Sequence, residues 1–441
     1  MGPDYTPVEA IPKIVDDSRK TFQSHRTQSL KVRKEQIAAL ERLVVENEDA
    51  INNAIHADLG RRSTFEFGTL IEAIRALKNH DMDFQTKDQH EKGEKEADKA
   101  FVRLSPKGNV LIIGAWNFPF LLTLEPLAGA IAAGNTAIIK PSELAVHSMR
   151  LMMQLVPKYM DKSIVQIVTG GAKETGALLQ ERFDHIFYTG GTEVGRIVMQ
   201  AAAKHLTPVT LELGGKCPVI IAKDADLQKA AMAIAGWKST NSGQICLAPD
   251  YLLCPKELQP ALIQQMIGVW HHLYGENPTD HDDYAHVINQ RHFERLVTLM
   301  EMTKKESKMV HGGRTNPARL TIEPTVFTGV KLTDTIMKDE IFGPLLPIID
   351  CESMDEAIKI INTTEYPLSL FMYTEDDANV QRVLNETRSG GVSVNDIAAN
   401  FTNAALPFGG CGNSGMGAYH GRYSIETFSH RRAVVVRKSH L

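Results

Sequence analysis

The 441-residue sequence predicts an α/β fold with parallel sheets, and three features of its pattern support this. Short apolar runs at 109–114, 164–168 and 185–189 are typical of strands that are buried on both faces. Segments of helical period, such as the alanine-rich 125–133, alternate with those runs. Turn residues such as Gly134 separate the two kinds of segment. This alternation favours a doubly wound sheet, in which ligands bind beyond the carboxyl ends of the strands.

The N-terminal segment predicts a layer of helices that covers this sheet. Thr6, Pro7 and Glu9 have the spacing of a capping box with proline at the first helical position. Apolar residues then recur at helical spacing, and Gly60 predicts a helix end with a new helix near Ser63. The moderate polarity of these helices indicates that they cover a core and do not form it.

Two peripheral segments predict a separate β element. Residues 86–99 are highly charged and have no apolar period, so we expect an exposed hairpin or loop there. Residues 101–104 alternate like a strand that ends at Pro106. The β-branched stretch 432–437 predicts a strand that needs a partner. We expect it to pair with the region 86–104 or across a subunit boundary.

A second α/β unit is predicted from Leu211 onward, beginning with a strand at 217–222 and a helix at 227–236. Further strands and helices follow to about Val394, without an internal repeat. A chain of this length is expected to form two or three domains.

Composition and charge argue against several classes of protein. The formal net charge of −5 gives no electrostatic case for binding nucleic acid or an anionic membrane surface. No signal-peptide pattern is visible, and the longest apolar run, 110–122, is shorter than the roughly 20 residues that span a bilayer. The five cysteines show no C-x-x-C or finger spacing, so we expect neither a disulfide framework nor a metal site.

The cellular location is predicted from the cysteines and the C-terminus. Unpaired cysteines fit a reducing compartment, so a cytoplasmic location is expected. The last three residues, Ser439-His440-Leu441, are a loose variant of the S-K-L peroxisomal address. The peroxisomal matrix is therefore the alternative location.

The segment 241–248, NSGQICLA, places Cys246 in a small polar loop between a helical segment and the strand-like 251–254. A thiolate is the strongest nucleophile among the side chains, and we expect it in an exposed, electropositive site. Cys246 is therefore predicted to do covalent chemistry. The alternative is a buried free cysteine that packs as a small hydrophobe, so the prediction needs a base and an oxyanion donor nearby.

Two side chains are candidates for those supporting roles. Glu212 lies between two leucines at a strand end, where burial would raise its pKa and suit it to act as a general base. The alternative is a glutamate that simply pairs with Lys216. Asn117 lies between two aromatic residues and is a candidate oxyanion donor, or an ordinary turn residue before Pro119.

A glycine-containing turn is a candidate phosphate site. Gly190-x-Thr192-x-x-Gly195 follows a predicted strand and opens a predicted helix, which is the context of a phosphate-binding helix N-terminus. A similar turn in an α/β protein that binds no nucleotide is the alternative.

Six segments occur in a recognisable order: WNFP at 116–119, KPSE at 140–143, LELGGK at 211–216, NSGQICLA at 241–248, EIFGP at 340–344 and LPFGG at 406–410. Together they resemble an aldehyde dehydrogenase, from about residue 10 to the C-terminus. The ending 412–432 is similar to the class 3 branch, the fatty and aromatic aldehyde type. The short stretch that precedes Trp116 agrees with that branch.

The resemblance implies NAD(P)-dependent oxidation of medium- or long-chain aliphatic or aromatic aldehydes to carboxylic acids. Cys246 would attack the aldehyde to give a thiohemiacetal, while Asn117 and the Cys246 backbone N–H hold the oxyanion. Loss of hydride would leave a thioester, and Glu212 would activate the water that hydrolyses it. The rival interpretations are a cysteine hydrolase without a redox step and a non-catalytic protein that keeps the fold.

The cofactor contacts that the resemblance implies are Trp116, Lys140, Glu143, Gly190, Thr192, Gly195, Gly214, Glu340 and Phe342. Lys140 and Glu143 match the positions that hold the adenine ribose. Glu143 favours NAD, because it would bond a ribose diol and repel a 2′-phosphate, although class 3 members often accept both NAD and NADP. Gly191 departs from the family, since many members have serine there, and this loosens the phosphate turn.

The resemblance also implies an aldehyde dehydrogenase-like fold. It would comprise a Rossmann-type cofactor domain, an α/β catalytic domain and a small bridging β element, at 1–84 with 107–210, at 211–418, and at 85–106 with 419–441. The bridging element would mediate a homodimer. Class 3 fatty aldehyde enzymes can carry a C-terminal membrane helix, and we expect no such anchor here.

The aldehyde tunnel is expected to have an aromatic border. Tyr5, Phe401, Tyr419 and the segment 395–405 are the candidates for its lining. The sequence does not fix the width or the length of this tunnel.

Overall fold

The computed structural model describes residues 5–62, 64–79, 91–92 and 99–436. Its N-terminal layer consists of α1 (Ile11–Gln23), α2 (Leu30–Val45), α3 (Glu48–Leu59) and α4 (Thr64–Asn79). The glycine predicted to end a helix does so, since Gly60 follows α3 in the left-handed conformation with φ 67°. Most of the charged segment 86–99, as well as the C-terminal tripeptide, lies outside the described residues.

The predicted capping box at the N-terminus is wrong. A short 3-10 turn, Val8–Ala10, precedes α1, and neither element has a side-chain cap. The hydroxyl of Thr6 instead accepts a hydrogen bond from the backbone N–H of Thr169 at 3.0 Å. Thr6 therefore ties the N-terminal segment to the sheet behind it.

The middle of the chain alternates strands and helices as predicted. The elements in chain order are β1 (Glu91–Lys92), β2 (Lys99–Pro106), β3 (Asn109–Ile113), α5 (Leu121–Ala132), β4 (Thr136–Lys140), α6 (Val146–Tyr159), β5 (Val165–Ile167), α7 (Ala172–Gln180), β6 (His185–Thr189), α8 (Thr192–Ala203) and β7 (Val209–Glu212).

The second unit begins close to the predicted position. Its elements are β8 (Pro218–Ile221), α9 (Leu227–Ser239), β9 (Tyr251–Cys254), α10 (Gln259–Tyr274), α11 (Gln290–Glu306), β10 (Lys308–His311), β11 (Thr315–Asn316), β12 (Thr321–Ile322), β13 (Thr325–Thr328), β14 (Leu345–Asp350), α12 (Met354–Asn362), β15 (Ser369–Tyr373), α13 (Asp377–Glu386), β16 (Gly391–Val394), α14 (Ala399–Thr402), β17 (Gly415–Met416), α15 (Gly421–Thr427) and β18 (Ser429–Val436).

Two large sheets organise the molecule. The first has the strand order β17-β7-β6-β3-β4-β5, and the second has the order β10-β13-β14-β9-β8-β15-β16. Both are parallel except at one edge, where β17 and β10 run antiparallel to their neighbours. β3, β4 and β6 are buried throughout, which explains their continuous apolar sequence. The predicted α/β fold is therefore observed.

The peripheral sheet has the order β1-β2-β18. β18 pairs antiparallel with β2 along its whole length, from Ser429 opposite Pro106 to Val436 opposite Lys99. The C-terminal strand was predicted to pair either with the region 86–104 or across a subunit boundary. The pairing within the chain, with β2, is observed.

α5 begins four residues earlier than predicted, at Leu121 instead of Glu125, and it is buried along its whole length. It packs between strands β3 and β4 and helices α2, α4 and α15. Its first turn lies next to the carboxyl end of β3, where the predicted oxyanion segment is found. Within the described residues, no helix is long and apolar enough to cross a membrane.

Candidate active site

The loop that carries Cys246 follows α9 in an unusual backbone conformation. Asn241 and Ser242 have φ values of 51° and 54°, and Gly243 has a φ of 69°. Such values cost a non-glycine residue about 1–3 kcal/mol. A Cβ atom on Gly243 would lie 2.4 Å from the carbonyl oxygen of Gly343. The loop is therefore a strained turn that is pressed against a neighbouring backbone.

Side-chain amides hold this turn in place. Asn241 Nδ2 donates to the carbonyl oxygens of Asn117 at 3.0 Å and Gln244 at 3.1 Å. Gln244 Nε2 donates to the carbonyl oxygens of Asn241 at 2.9 Å and His286 at 3.0 Å, and its Oε1 accepts from the N–H of Ile288 at 3.0 Å. Because Asn241 and Gln244 are buried, losing any of these bonds would leave a polar atom unpaired.

Cys246 is partly exposed and lines an apolar cavity. Burial, with smaller contributions from the carboxyls of Glu340 and Glu212, raises the pKa of its thiol to about 12, against the opposing effect of the Cys246 and Leu247 N–H groups. The described residues around Cys246 therefore do not provide the electropositive surroundings that the sequence predicted. The thiol is protonated at neutral pH, so a base must remove its proton before it can attack.

Glu212 ends β7 and is 4% exposed. Neither of its carboxyl oxygens has a hydrogen-bond partner among the described residues. The alternative pairing with Lys216 is wrong, because Lys216 Nζ bonds Asp250 and the carbonyl oxygens of Ile336 and Asp339. Burial, and secondarily the charge of Glu125, raise the pKa of Glu212 well above its usual value. An unpaired buried carboxyl of this kind suits a general base.

Asn117 is buried beside the Cys246 loop. Its Nδ2 donates to the carbonyl oxygen of Gln244 at 3.1 Å. An amide nitrogen carries two hydrogens, so one bond to Gln244 leaves a second N–H that can donate. The structure thus brings Asn117 and Cys246 together across a sequence separation of more than a hundred residues, as the oxyanion prediction requires.

The cavity beside Cys246 has an aromatic wall. Its aromatic side chains are Phe65, Phe118, Trp237, Phe401, Phe408 and Tyr419. The remaining side chains are apolar except for Thr189, Glu212 and Cys246. Phe401 and Tyr419 therefore border the cavity as predicted.

Tyr5 lies elsewhere, so the prediction that it borders the tunnel is wrong. Its charged neighbours are Glu143 and Glu174, which raise the pKa of its hydroxyl together with burial, the largest cause, and none of the three residues lines the cavity beside Cys246. The N-terminal segment reaches this position because the N–H of Thr6 donates to the carbonyl oxygen of Thr169 at 2.9 Å.

Sequence reasoning missed Arg61 and Glu66, which form a buried ion pair of 2.7 Å next to the Cys246 loop. Arg61 Nε donates to Asn241 Oδ1 at 2.8 Å, and Nη2 donates to the carbonyl oxygen of Asn117 at 3.1 Å. The guanidinium also lies 4.8 Å from the centre of the Phe118 ring. No motif marks these residues, and the only signal in the sequence is a glutamate between phenylalanines in a helix.

Lys140 and Glu143 lie at the carboxyl end of β4. Lys140 is 3% exposed, and its Nζ lies 2.7 Å from Glu143 Oε2, which is half-buried. An ammonium and a carboxylate fixed together at this edge of a parallel sheet can bond the hydroxyls of a ribose.

The glycine turn also lies at this edge, between β6 and α8. A Cβ on Gly190 would lie 2.2 Å from the Tyr188 hydroxyl, and one on Gly195 would lie 2.8 Å from Leu213. Gly191 is the N-cap of α8 with φ −75°, and nothing lies within 4 Å of a Cβ there. The family's usual serine would therefore fit. Thr192 Oγ1 donates to the carbonyl oxygen of Asn413 at 3.1 Å.

Glu340 and Phe342 lie between the two sheets' ligand edges. A Cβ on Gly214 would lie 2.1 Å from Glu340 Oε2, so any side chain there would displace the Glu340 carboxyl. Burial, followed by the charge of Asp250, raises the pKa of Glu340 to about 8. The Phe342 ring meets the edge of Trp116 at 5.4 Å between ring centres. These four predicted residues therefore lie close to one another and to Cys246.

The donors at this edge fit an adenine dinucleotide. A pyrophosphate would meet the open N-terminus of α8 at Gly191, and a ribose would meet Lys140 and Glu143. Trp116 and Phe342 supply flat apolar surface near Cys246 for a ring. The site thus has separate places for the two ends of the cofactor.

A model of the aldehyde dehydrogenase family matches residues 4–434. The chain belongs to the aldehyde dehydrogenase family. The dimeric NADP-preferring aldehyde dehydrogenase of Mus musculus is 44% identical over 436 residues, which cover 97% of this chain and 94% of that protein. Aldehyde dehydrogenase family 3 member A2 of Rattus norvegicus is 46% identical over 424 residues, which cover 95% and 87%. The substrate-bound structure of Staphylococcus aureus AldH superposes with a TM-score of 0.94 at 38% identity, covering 98% and 95%.

These likenesses confirm three predictions for this aldehyde dehydrogenase. The similarity to family 3 relatives confirms the resemblance to the class 3 branch. The superposition on a solved aldehyde dehydrogenase confirms the predicted fold. An aldehyde dehydrogenase oxidises aldehydes, so the activity predicted from the motifs is confirmed at this coarse level.

Proposed function

We propose that this enzyme oxidises medium- or long-chain aliphatic or aromatic aldehydes to carboxylic acids through covalent intermediates on Cys246, with NAD or NADP as the oxidant. The observation that supports this best is the shared cavity, in which the Cys246 thiol and the unpaired Glu212 carboxyl line the same apolar wall. A nucleophile and a base in one apolar cavity suit an acyl-transfer reaction.

The first step is removal of the thiol proton. Glu212 is the base in this step, because its carboxyl lines the same cavity as the Cys246 thiol and has no other partner among the described residues. Glu212 takes the proton while the sulfur attacks the carbonyl carbon, so that a C–S bond forms and the carbonyl π electrons move to oxygen. The second N–H of Asn117 and the backbone N–H of Cys246 then hold the oxyanion.

The second step is oxidation at the same carbon. A bound nicotinamide supplies a hydride acceptor. Loss of hydride converts the thiohemiacetal on Cys246 into a thioester. The residues that would hold the two ends of the cofactor are Trp116, Phe342 and Glu340 near Cys246 and the Lys140–Glu143 pair at the end of β4.

The third step is hydrolysis of the thioester. Glu212 takes a proton from water, and the water oxygen attacks the carbonyl carbon. The C–S bond breaks, the sulfur leaves with its electron pair, and the carboxylic acid departs. A thiol suits this scheme because a thioester is more easily hydrolysed than an ordinary ester.

The substrate class is inferred from the cavity wall. Its six aromatic side chains and several leucines favour an apolar aldehyde over a charged one. Absorbance of reduced nicotinamide with a series of straight-chain and aromatic aldehydes, each with NAD and NADP, tests the proposal. We expect kcat/KM to rise with chain length, while a charged aldehyde is a poor substrate. A preference for charged short aldehydes would contradict the substrate class, and no signal with any pair would contradict the proposed function.

A homodimer and a cytoplasmic location complete the proposal. A mouse relative is named dimeric, and the exposed valines of β18, Val435 and Val436, offer apolar surface beyond the chain. Light scattering after gel filtration should give twice the mass of 48.8 kDa. Fusing the last residues to a fluorescent reporter separates the cytoplasm from the peroxisomal alternative, since punctate fluorescence would support the latter.

A further inference from the structure

Two open spaces continue outward from the cavity beside Cys246. Phe65 and Trp237 line that cavity, and they also line a vestibule on its outer side. Their rings meet edge to face, with 5.5 Å between centres. Met232 and Gly236 line the vestibule and also a groove between α9 and α10. The cavity, the vestibule and the groove therefore lie in series, and each shares two residues with the next.

The groove is formed by one stripe of each helix. Its residues on α9 are Gln228, Ala231, Met232 and Gly236, and its residues on α10 are Gln265, Gly268, Val269, His272 and Leu273. Residues spaced three and four apart share one face of a helix. Met232 and Leu273 are 58% and 44% exposed, so apolar surface lies open along the groove. Contiguous apolar surface of this kind marks an interaction site or a ligand-binding groove.

Two glycines keep the groove open. Gly236 and Gly268 lie in the interiors of α9 and α10, where glycine weakens a helix relative to alanine. A Cβ on either residue would have nothing within 4 Å. Close packing therefore does not require glycine at these positions. The two glycines instead leave room, Gly236 where the vestibule meets the groove and Gly268 on the facing helix.

The cavity beside Cys246 is too small to hold a long alkyl chain. Its volume is about 30 Å³, against about 430 Å³ for the vestibule and about 840 Å³ for the groove. One water needs about 10–15 Å³ on this scale, so the cavity has room for the reacting end only. A longer chain extends past Phe65 and Trp237 into the vestibule. The vestibule wall includes the charged Lys229 and Asp396, so the hydrophobic effect favours the apolar groove for the end of the chain.

We propose that the groove between α9 and α10 binds the distal end of a long-chain aliphatic aldehyde. The chain passes from the cavity through the vestibule, crosses α9 over Gly236 and lies along Gly268 and Val269. The face of α10 from Gln265 to Leu273 is about 12 Å long at 1.5 Å per residue, which accommodates several CH₂ groups. This inference rests on the proposed function and narrows its substrate class to long-chain aliphatic aldehydes.

Steady-state kinetics with straight-chain aldehydes from hexanal to hexadecanal test the inference. Complete burial of one CH₂ group strengthens binding about four-fold, and a groove open on one side should give about two-fold. We therefore expect KM to fall about two-fold for each CH₂ group that reaches the groove. The groove is remote from Cys246, so kcat should not change with these groups.

Gly236→Leu fills the crossing between vestibule and groove. It should raise the KM for hexadecanal at least ten-fold and leave both kcat and the KM for hexanal unchanged. Gly268→Phe fills the groove farther along and should act in the same direction. Each new side chain enters open space and replaces a helix-weakening glycine, so both variants should fold.

Gln264→Phe is the matched control on α10. Gln264 is exposed and adjacent to Gln265, but it does not line the groove. The variant should leave the KM values of all chain lengths unchanged. Light scattering tests whether a second copy of the chain covers the groove instead. A changed mass of Gly268→Phe in solution, with wild-type KM values, would overturn the inference.

The remaining outcomes separate this inference from the proposed function. A wild-type enzyme that reduces no cofactor with any aldehyde would overturn the proposed function itself. A working wild type whose KM for hexadecanal is unchanged in Gly236→Leu would overturn only the inference. Equal rises in KM for hexanal and hexadecanal would also overturn it, because the substitution would then disturb the cavity and not the groove.

Discussion

Arg61 Nη2 and Glu66 Oε2 form an ion pair of 2.7 Å that joins the two halves of the oxyanion site. The guanidinium bonds Asn241 in the Cys246 loop and the backbone of Asn117. Glu66 Oε1 accepts the N–H groups of Phe120 and Leu121, where α5 begins. One buried pair from the N-terminal layer therefore fixes the distance between the nucleophile and its oxyanion donor.

Replacing Arg61 with methionine should damage both stability and catalysis. The substitution leaves the Glu66 carboxyl buried without its partner, which costs about 3–5 kcal/mol of the free energy of unfolding. Displacement of Asn117 from Cys246 should lower kcat about 10- to 100-fold. Chemical denaturation and steady-state kinetics measure the two effects.

Arg62→Met is the matched control for that variant. Arg62 pairs with Asp283 at 2.9 Å, but both side chains are largely exposed. Its loss should change the free energy of unfolding by less than about 1 kcal/mol and leave kcat unchanged. Equal effects of the two substitutions would mean that the Arg61 pair does not organise the site.

Cys246→Ala should abolish dehydrogenase turnover while binding of the dinucleotide persists. The nucleophile is removed, but the cofactor contacts at Lys140 and Glu143 are untouched. Calorimetric titration with NAD and NADP measures the binding. Cys411→Ala, at another partly exposed cysteine, should keep full turnover. Residual turnover of the Cys246 variant would show that a different side chain is the nucleophile.

Glu212→Gln should slow the reaction at both of its base-dependent steps. The Cys246 thiol and the hydrolytic water both lose the group that takes their proton, so the first turnover and the steady state should each be about 10²- to 10⁴-fold slower. Stopped-flow absorbance measures both phases. An unchanged steady state would exclude Glu212 as the base for water.

Local pattern was sufficient to predict most of the first sheet. β3, β4 and β6 are apolar throughout because they are buried on both faces, and their sequence shows it. The start of α5 was not predictable in this way, because its first N–H groups are capped by Glu66, a residue far away in the chain. The antiparallel edge strand β17 has two residues and no sequence signal of its own.

In the candidate site, too, local motifs predicted some residues, and contacts between distant residues explain those that were missed. Motifs predicted the residues that would touch substrate or cofactor, such as Cys246 and Glu143. They did not predict Arg61 or Glu66, whose contacts depend on burial and on partners from other elements. The sequence also predicted electropositive surroundings for the Cys246 thiol, whereas burial and the carboxyls of Glu340 and Glu212 raise its pKa. A single sequence does not reveal how many carboxyls surround a cysteine.

Glu143→Gln should shift the cofactor preference toward NADP. A carboxylate beside the Lys140 ammonium would repel a 2′-phosphate, and a neutral amide would not. The ratio of kcat/KM with NADP to that with NAD should rise about ten-fold. The ratio should fall in Lys140→Met, because the cation that attracts the phosphate is lost. An unchanged ratio in both variants would place the adenine ribose elsewhere.

The protein should lose stability as pH rises from about 5 to 8, and Glu125 should cause part of the loss. Its pKa is raised from 4.5 to about 8 by burial, so the folded chain keeps a proton that the unfolded chain releases in this window. Its favourable contribution is complete below pH 4.5 and disappears as pH passes 8, with a slope of at most about 1.4 kcal/mol per pH unit. Glu125→Gln should flatten the denaturation midpoints across this range, whereas the exposed Glu72→Gln should not. A wild-type slope in Glu125→Gln would mean that Glu125 is ionised in the folded protein.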